Sequence, residues 1–134
     1  MNDTEIDALA HASRNVQNKT GEQNLWKAVL KLPAWYFVAQ GSGEDVEPLV
    51  ARVGSRPTLL AFTSEGRAEA FTRHLEGKQG GPRRGVLDME IADAVEYCQQ
   101  LLEAGVETIH FNSGDYEFSS GMIKLKDMAG RYGS

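Results

Sequence analysis

The chain has 134 residues, 41% hydrophobic and 25% charged, proportions that suit one globular domain around one core. Its formal net charge of -5 repels phosphate backbones and no block of Lys and Arg overrides that average, so nucleic acid is not an expected partner. The acidic start Met1-Asn2-Asp3-Thr4-Glu5, with no apolar run near the ~18 residues that span a bilayer, predicts a cytoplasmic chain without membrane association.

In chain order, Ile6, Leu9, Ala10, Ser13 and Val16 recur at helical spacing and predict an amphipathic helix over residues 3–17, with Thr4 and Asp7 as its start signal. Asn15 to Gly21 is a polar connection, so residues 1–21 are expected to form a separable piece ahead of a domain at 22–134. Thr20-Gly21-Glu22-Gln23 has the pattern of a capping box, and Leu25, Trp26, Val29 and Leu30 predict a second helix. It should stop at Leu32-Pro33, because a residue before proline is pushed out of the helical region.

Ala34 to Gln40 is rich in aromatic and β-branched residues and predicts a strand, closed by a turn at Gly41-Ser42-Gly43. Pro48 to Val53 is a weaker strand, and Thr58 to Phe62 is apolar on both faces, as in the middle of a covered sheet. These three strands form a meander. After Thr63-Ser64 the period changes to about 3.6, with Ala68, Phe71 and Leu75 on one face and Gly77 as the expected stop. A Lys78-Gln79-Gly80-Gly81-Pro82 loop leads to a strand at Arg84 to Leu87, then Asp88 as the cap of a helix burying Ile91, Val95, Cys98, Leu101 and Leu102. Gly105 ends that helix in the left-handed position, Thr108 to Phe111 is the next strand, and Met122, Ile123, Leu125, Met128 and Ala129 predict a last helix broken at Gly130. The expected fold is a single α/β domain whose mixed sheet of four to five strands, an N-terminal meander followed by β-α-β-α-β, is flanked by helices. Strands that return through a helix are expected to be parallel.

Candidate chemistry gathers at three strand ends, Thr63-Ser64, Asp88 and Asn112-Ser113-Gly114-Asp115. Parallel strands would align them on the edge where open α/β folds place ligands. The competing expectation is structural: Ser64 and Asp88 as N-caps, and Asn112 to Gly114 as a turn that needs positive φ. Arg67 is the basic side chain near that edge. Gly77 to Gly81 follows a helix and leads into a strand, the reverse of a phosphate-binding loop. Ser64-Glu65-Gly66 matches the second half of a nucleophile elbow, but Phe62 stands where the first glycine is needed. His110 and Ser113 fall on opposite faces of a regular strand unless the turn rotates them together.

Cys98, the only cysteine, rules out an internal disulfide and reads as core. The histidines His11, His74 and His110 lie far apart without an H-E-x-x-H spacing, so no metal or cofactor is expected, although a site built from His and carboxylates stays formally open. Trp26, Trp35, Tyr36 and Phe37 surround the Pro33 corner. Alternation forbids Trp35 and Tyr36 from facing one layer, so one of them is a candidate contact residue.

Four passages resemble the N-terminal domain of the SseB family, named for a bacterial protein linked to serine sensitivity: Leu25-Trp26 to Phe37-Val38, Phe62-Thr63-Ser64 with Ala70-Phe71, Leu101 to Val106, and Phe111-Asn112-Ser113-Gly114. The region of resemblance spans roughly residues 22 to 131. The resemblance implies no catalytic residues, since that family has no agreed activity; its members often carry a second, C-terminal domain, and with the sequence ending at Ser134 no function of such a domain is expected here. The expected function is a non-enzymatic protein-interaction or regulatory domain with a protein partner or itself, as a homodimer, through a patch near Pro33 or the N-terminal helix. The alternative is a small-ligand site at the strand edge formed by Thr63, Ser64, Asn112, Ser113 and Asp115.

Overall fold

A computed structural model describes residues 3–13, 19–40, 46–79, 85–113 and 117–132. The turn expected at Gly41 to Gly43, the loop at Gly80 to Pro82, the strand start at Arg84, and Val16, Gly114 and Asp115 lie outside the described residues. The elements are α1 (Asp3–Ser13), α2 (Lys19–Leu30), β1 (Trp35–Gln40), β2 (Glu47–Pro48), β3 (Val50–Val53), β4 (Arg56–Ala61), α3 (Glu65–Gln79), β5 (Val86–Met89), α4 (Ile91–Glu103), β6 (Thr108–Phe111), β7 (Phe118–Gly121) and α5 (Met122–Tyr132). This is the mixed α/β domain expected. The seven strands among the described residues form two sheets, ordered β2-β1-β5 and β3-β4-β6-β7.

A reciprocal backbone pair fastens the sheets to each other. Tyr36 and Phe62 bond N–H to C=O in both directions, at 2.9 and 2.8 Å. Beside this pair, the strand expected at Pro48 to Val53 divides at Leu49. The Leu49 N–H donates to Val38 C=O at 2.8 Å, and its own C=O accepts from Leu60 N–H at 3.4 Å. The expected meander is therefore kept in order but shared between two sheets: β2 runs antiparallel to β1, and β3 antiparallel to β4.

Strand parity decides what each sheet face covers. Trp35, Phe37, Leu59, Ala61, Ile109 and Phe111 enter the large core with Ile6 and Ala10 of α1, Leu25, Trp26, Val29 and Leu30 of α2, Ala94 and Cys98 of α4, and Met122 and Leu125 of α5. Val38, Leu60 and Phe62 turn to the other face, where they meet Ala68 of α3, with Phe71 and Leu75 packed alongside. Ile6 and Ala10 are 1% and 0% exposed, so α1 is seated in the common core.

Four aromatic rings, those of Trp26, Trp35, Phe111 and Phe118, build the centre of that core. Trp26 and Trp35 each meet Phe111 edge-on, at 5.9 and 4.9 Å, and Phe118 stacks on Phe111 at 5.0 Å. Trp35 also completes the end of α2. A continuing helix would satisfy Val29 C=O with the N–H of residue 33, which Pro33 does not have. The indole Nε1 of Trp35 donates to that carbonyl instead, at 3.0 Å.

Several local expectations are corrected. α2 begins at Lys19, so Thr20 lies within its first turn and does not cap it. α3 runs through Gly77 to Gln79, and α5 through Gly130 to Tyr132, because one glycine weakens a helix by only about 1 kcal/mol. Asp88 does not cap α4. It lies in β5 opposite Tyr36, and Glu90 takes the N-cap position without a side-chain hydrogen bond. β5 is antiparallel to its neighbour β1, whereas β6 is parallel to β4 as expected. β7, a strand the sequence pattern does not predict, extends the second sheet antiparallel to β6. Gly105 does end α4 in the left-handed region at φ 100, with Gly105 N–H bonded to Leu102 C=O and Val106 N–H to Leu101 C=O, a Schellman ending.

Candidate functional site

The adjacent parallel strands β4 and β6 end side by side, and a single residue shapes the chain as it leaves each of them. β4 passes through the Thr63-Ser64 turn into α3. Ser64 Oγ accepts the N–H of Arg67 at 3.3 Å, the bond of an N-cap. At the end of β6, Asn112 takes φ 54, the positive value expected for this turn and one that asparagine tolerates better than most residues. Its N–H continues the ladder to Ala61 C=O at 2.9 Å.

Thr63 and Asn112 then join the two ends directly. Asn112 Oδ1 accepts the Thr63 backbone N–H at 3.0 Å, and Asn112 Nδ2 donates to Thr63 Oγ1 at 3.0 Å. A backbone N–H can only donate, which fixes the orientation of the amide. Both residues are buried, at 6% and 3% exposure. Thr63, Ser64 and Asn112 are thus brought together as the sequence suggested, yet their polar atoms hold one another and the start of α3. Asp88, across β1 on β5, is not part of the row.

Against these joined ends lies a groove of about 410 Å³, lined by Phe62, Arg67, Ala70, Phe71, His74, Asn112 and Ser113. Its long wall is one stripe of α3, since residues 67, 70, 71 and 74 follow the spacing of neighbours on a helix face. Phe62, 2% exposed, is the floor, with the Phe71 ring 5.3 Å away and His74 6.2 Å beyond that. Ser113, exposed, closes the strand side. By parity Ser113 would turn away from α3, and the positive φ of Asn112 breaks that parity. His110 takes Glu117 as its partner rather than Ser113, with Nε2 2.7 Å from Glu117 Oε2.

Arg67 is the basic group of this groove and is tied to the N-terminal helix. Its Nη2 donates to Asp7 Oδ1 and Oδ2 at 2.6 and 2.5 Å. Both side chains are partly enclosed, at 23% and 18% exposure. Of the candidates at this edge, Asn112 and Ser113 line the groove while Thr63 and Ser64 support it. Phe62, Ala70, Phe71 and His74 are groove residues that the sequence reading does not select as a site; the repeat of residues 67, 70, 71 and 74 beside the core stripe Ala68, Phe71 and Leu75 is the signal that marks them.

The candidate contact residues near Pro33 fare differently. Trp35 is fully enclosed at 0% exposure, so it cannot contribute to an exposed surface, while Tyr36 is half-buried against the α3 cluster. A second groove, of about 500 Å³, lies at this corner between Leu9 of α1 and Asn24, Lys27, Ala28, Lys31, Leu32 and Pro33. Cys98 lies wholly inside the core, and burial pushes its thiol up to about 12. Among the described residues no cluster of three His, Cys, Asp or Glu side chains could hold a metal ion, and no helix is long and apolar enough to cross a membrane. No protein-family model matches the chain, and a search of curated proteins found no match.

Proposed function

We propose that this is an SseB-like, non-enzymatic regulatory domain that binds a small ligand in the groove between α3 and the carboxyl ends of β4 and β6. The observation that carries the reading is the groove itself: about 410 Å³, with an aromatic floor and wall and with Arg67, His74 and Ser113 at its polar margins. The carboxyl end of parallel strands is where α/β sheets present ligands. The polar side chains that could suggest chemistry have structural partners instead, Thr63 with Asn112 and Ser64 with the α3 amide. The SseB-like part of the reading rests on the four sequence passages alone, Leu25-Trp26 to Phe37-Val38, Phe62-Thr63-Ser64 with Ala70-Phe71, Leu101 to Val106, and Phe111 to Gly114.

A fragment titration of the full chain, followed by amide NMR, tests this. Binding should move Arg67, Ala70, Phe71, His74, Asn112 and Ser113 together along one saturable curve. Ala70→Trp, on the groove wall, should abolish it. Shifts scattered over the surface, or binding indifferent to Ala70→Trp, would overturn the reading.

A second reading, self-association through the corner groove, is favoured by its apolar floor of Leu9, Ala28, Leu32 and Pro33 and by the basic rim of Lys27 and Lys31 on a chain of net charge -5. Light scattering across a concentration series should show a dimer that the double change Lys27→Glu, Lys31→Glu dissociates. A monomer at every concentration refutes it.

A further inference from the structure

We infer that Arg67 anchors the ligand of this groove and that the ligand is a small aromatic or aliphatic carboxylate, taken in exchange for Asp7 of α1. The inference rests on the proposed groove and names what fills it. Three observations lead to it. The volume, about 410 Å³, is near the lower end of the range for small-molecule sites, enough for a ring with a short chain and too small for a dinucleotide. The body of the groove is apolar, with Phe62 below and Phe71 and Ala70 at the side, so it suits a hydrocarbon or aromatic group. Arg67, one of the lining residues, already holds a carboxylate through its guanidinium at 2.5 and 2.6 Å, that of Asp7, so the geometry of a carboxylate on this cation is built into the fold.

Asp7 is a replaceable partner of Arg67. It belongs to α1, which is held independently by Ile6 and Ala10 in the core, so losing one partly exposed ion pair leaves the helix seated. A ligand carboxylate takes over the same guanidinium while its apolar part covers Phe62 and Phe71. The exchange makes α1 a reporter of occupancy, because the contact between α1 and α3 through Asp7 and Arg67 is present only when the groove is empty.

The test uses the full chain with 3-phenylpropionate and its uncharged counterpart 3-phenylpropanol, read by NMR shifts of the groove amides and of the Arg67 Nε–H. The acid should bind at least about tenfold more tightly than the alcohol, as expected for a hydrogen bond assisted by charge. Asp7→Asn removes the internal competitor and should tighten the acid about threefold without affecting the alcohol. Arg67→Leu should bring the acid down to the affinity of the alcohol. Equal affinities of acid and alcohol, or no tightening in Asp7→Asn, would overturn the inference while leaving the groove a ligand site. Binding that survives Ala70→Trp would instead overturn the groove itself. Retained amide dispersion in each variant separates a lost contact from a lost fold.

Discussion

Replacing Asn112 by alanine is the sharpest test of how the strand ends are held. The substitution does two separable things. It removes Oδ1, the acceptor of the Thr63 N–H at 3.0 Å, and leaves a buried donor unsatisfied, at a cost of about 2 kcal/mol. It also puts a Cβ-bearing residue without a compensating side chain at φ 54, which costs about 1 kcal/mol more. The sum for Asn112→Ala is about 3 kcal/mol. Asn112→Gly removes the same bonds but accepts the positive φ, so it should lose about 2 kcal/mol. Urea unfolding followed by the fluorescence of the buried Trp26 and Trp35 measures both, with an unchanged slope showing that the same surface is exposed. A loss below about 1 kcal/mol for alanine would refute the hydrogen-bond account. A glycine variant less stable than the alanine one would refute the conformational account.

Trp35→Phe should destabilise by about 2 kcal/mol, because Val29 C=O loses its donor and the core loses volume; a loss comparable to a surface change would mean that water replaces the indole. Gly105→Ala meets no atom within 4 Å of the new Cβ, so its expected cost of about 1 kcal/mol comes from φ 100 alone, and denaturant melts should show it without any change in the dispersion of core signals. Cys98 should be inert to a thiol reagent in the native state and react only on unfolding. Its thiol is pushed up to about 12 from an ordinary 9.0, so above pH 9.0 the unfolded chain releases a proton that the folded one keeps. Stability should therefore fall from about 9.0 toward about 12 in the wild type more steeply than in Cys98→Ala, and parallel profiles would contradict this burial.

Local signals are legible wherever a segment's own chemistry decides its conformation. Ala34 to Gln40 and Thr58 to Phe62 have the β-branched and aromatic composition of strands, and they form β1 and β4 within two residues of the expected ends. Gly105 and Asn112 are legible because positive φ narrows the choice of residue. β7, by contrast, is Phe118-Ser119-Ser120-Gly121, which has little strand propensity of its own and is held by its partner β6 and the stacking of Phe118 on Phe111. The pairing of β5 with β1 joins residues some fifty positions apart and leaves no local mark, which is why Asp88 reads as a cap. At the candidate site, the sequence locates the strand edge and names Asn112 and Ser113. It does not separate the residues that build the edge from those that open onto the groove, because that division depends on α3 lying across Phe62.

The reciprocal pair between Tyr36 and Phe62 gives the groove an influence wider than its lining. Phe62 contributes its side chain to the groove floor and its backbone to the seam between the sheets. Pressure on the ring is thus delivered to the rung where β1 meets the end of β4. An occupant that stiffens Phe62 should slow hydrogen exchange at Tyr36 and Phe62 ahead of every other strand amide, and should make two sheets that can open separately open as one.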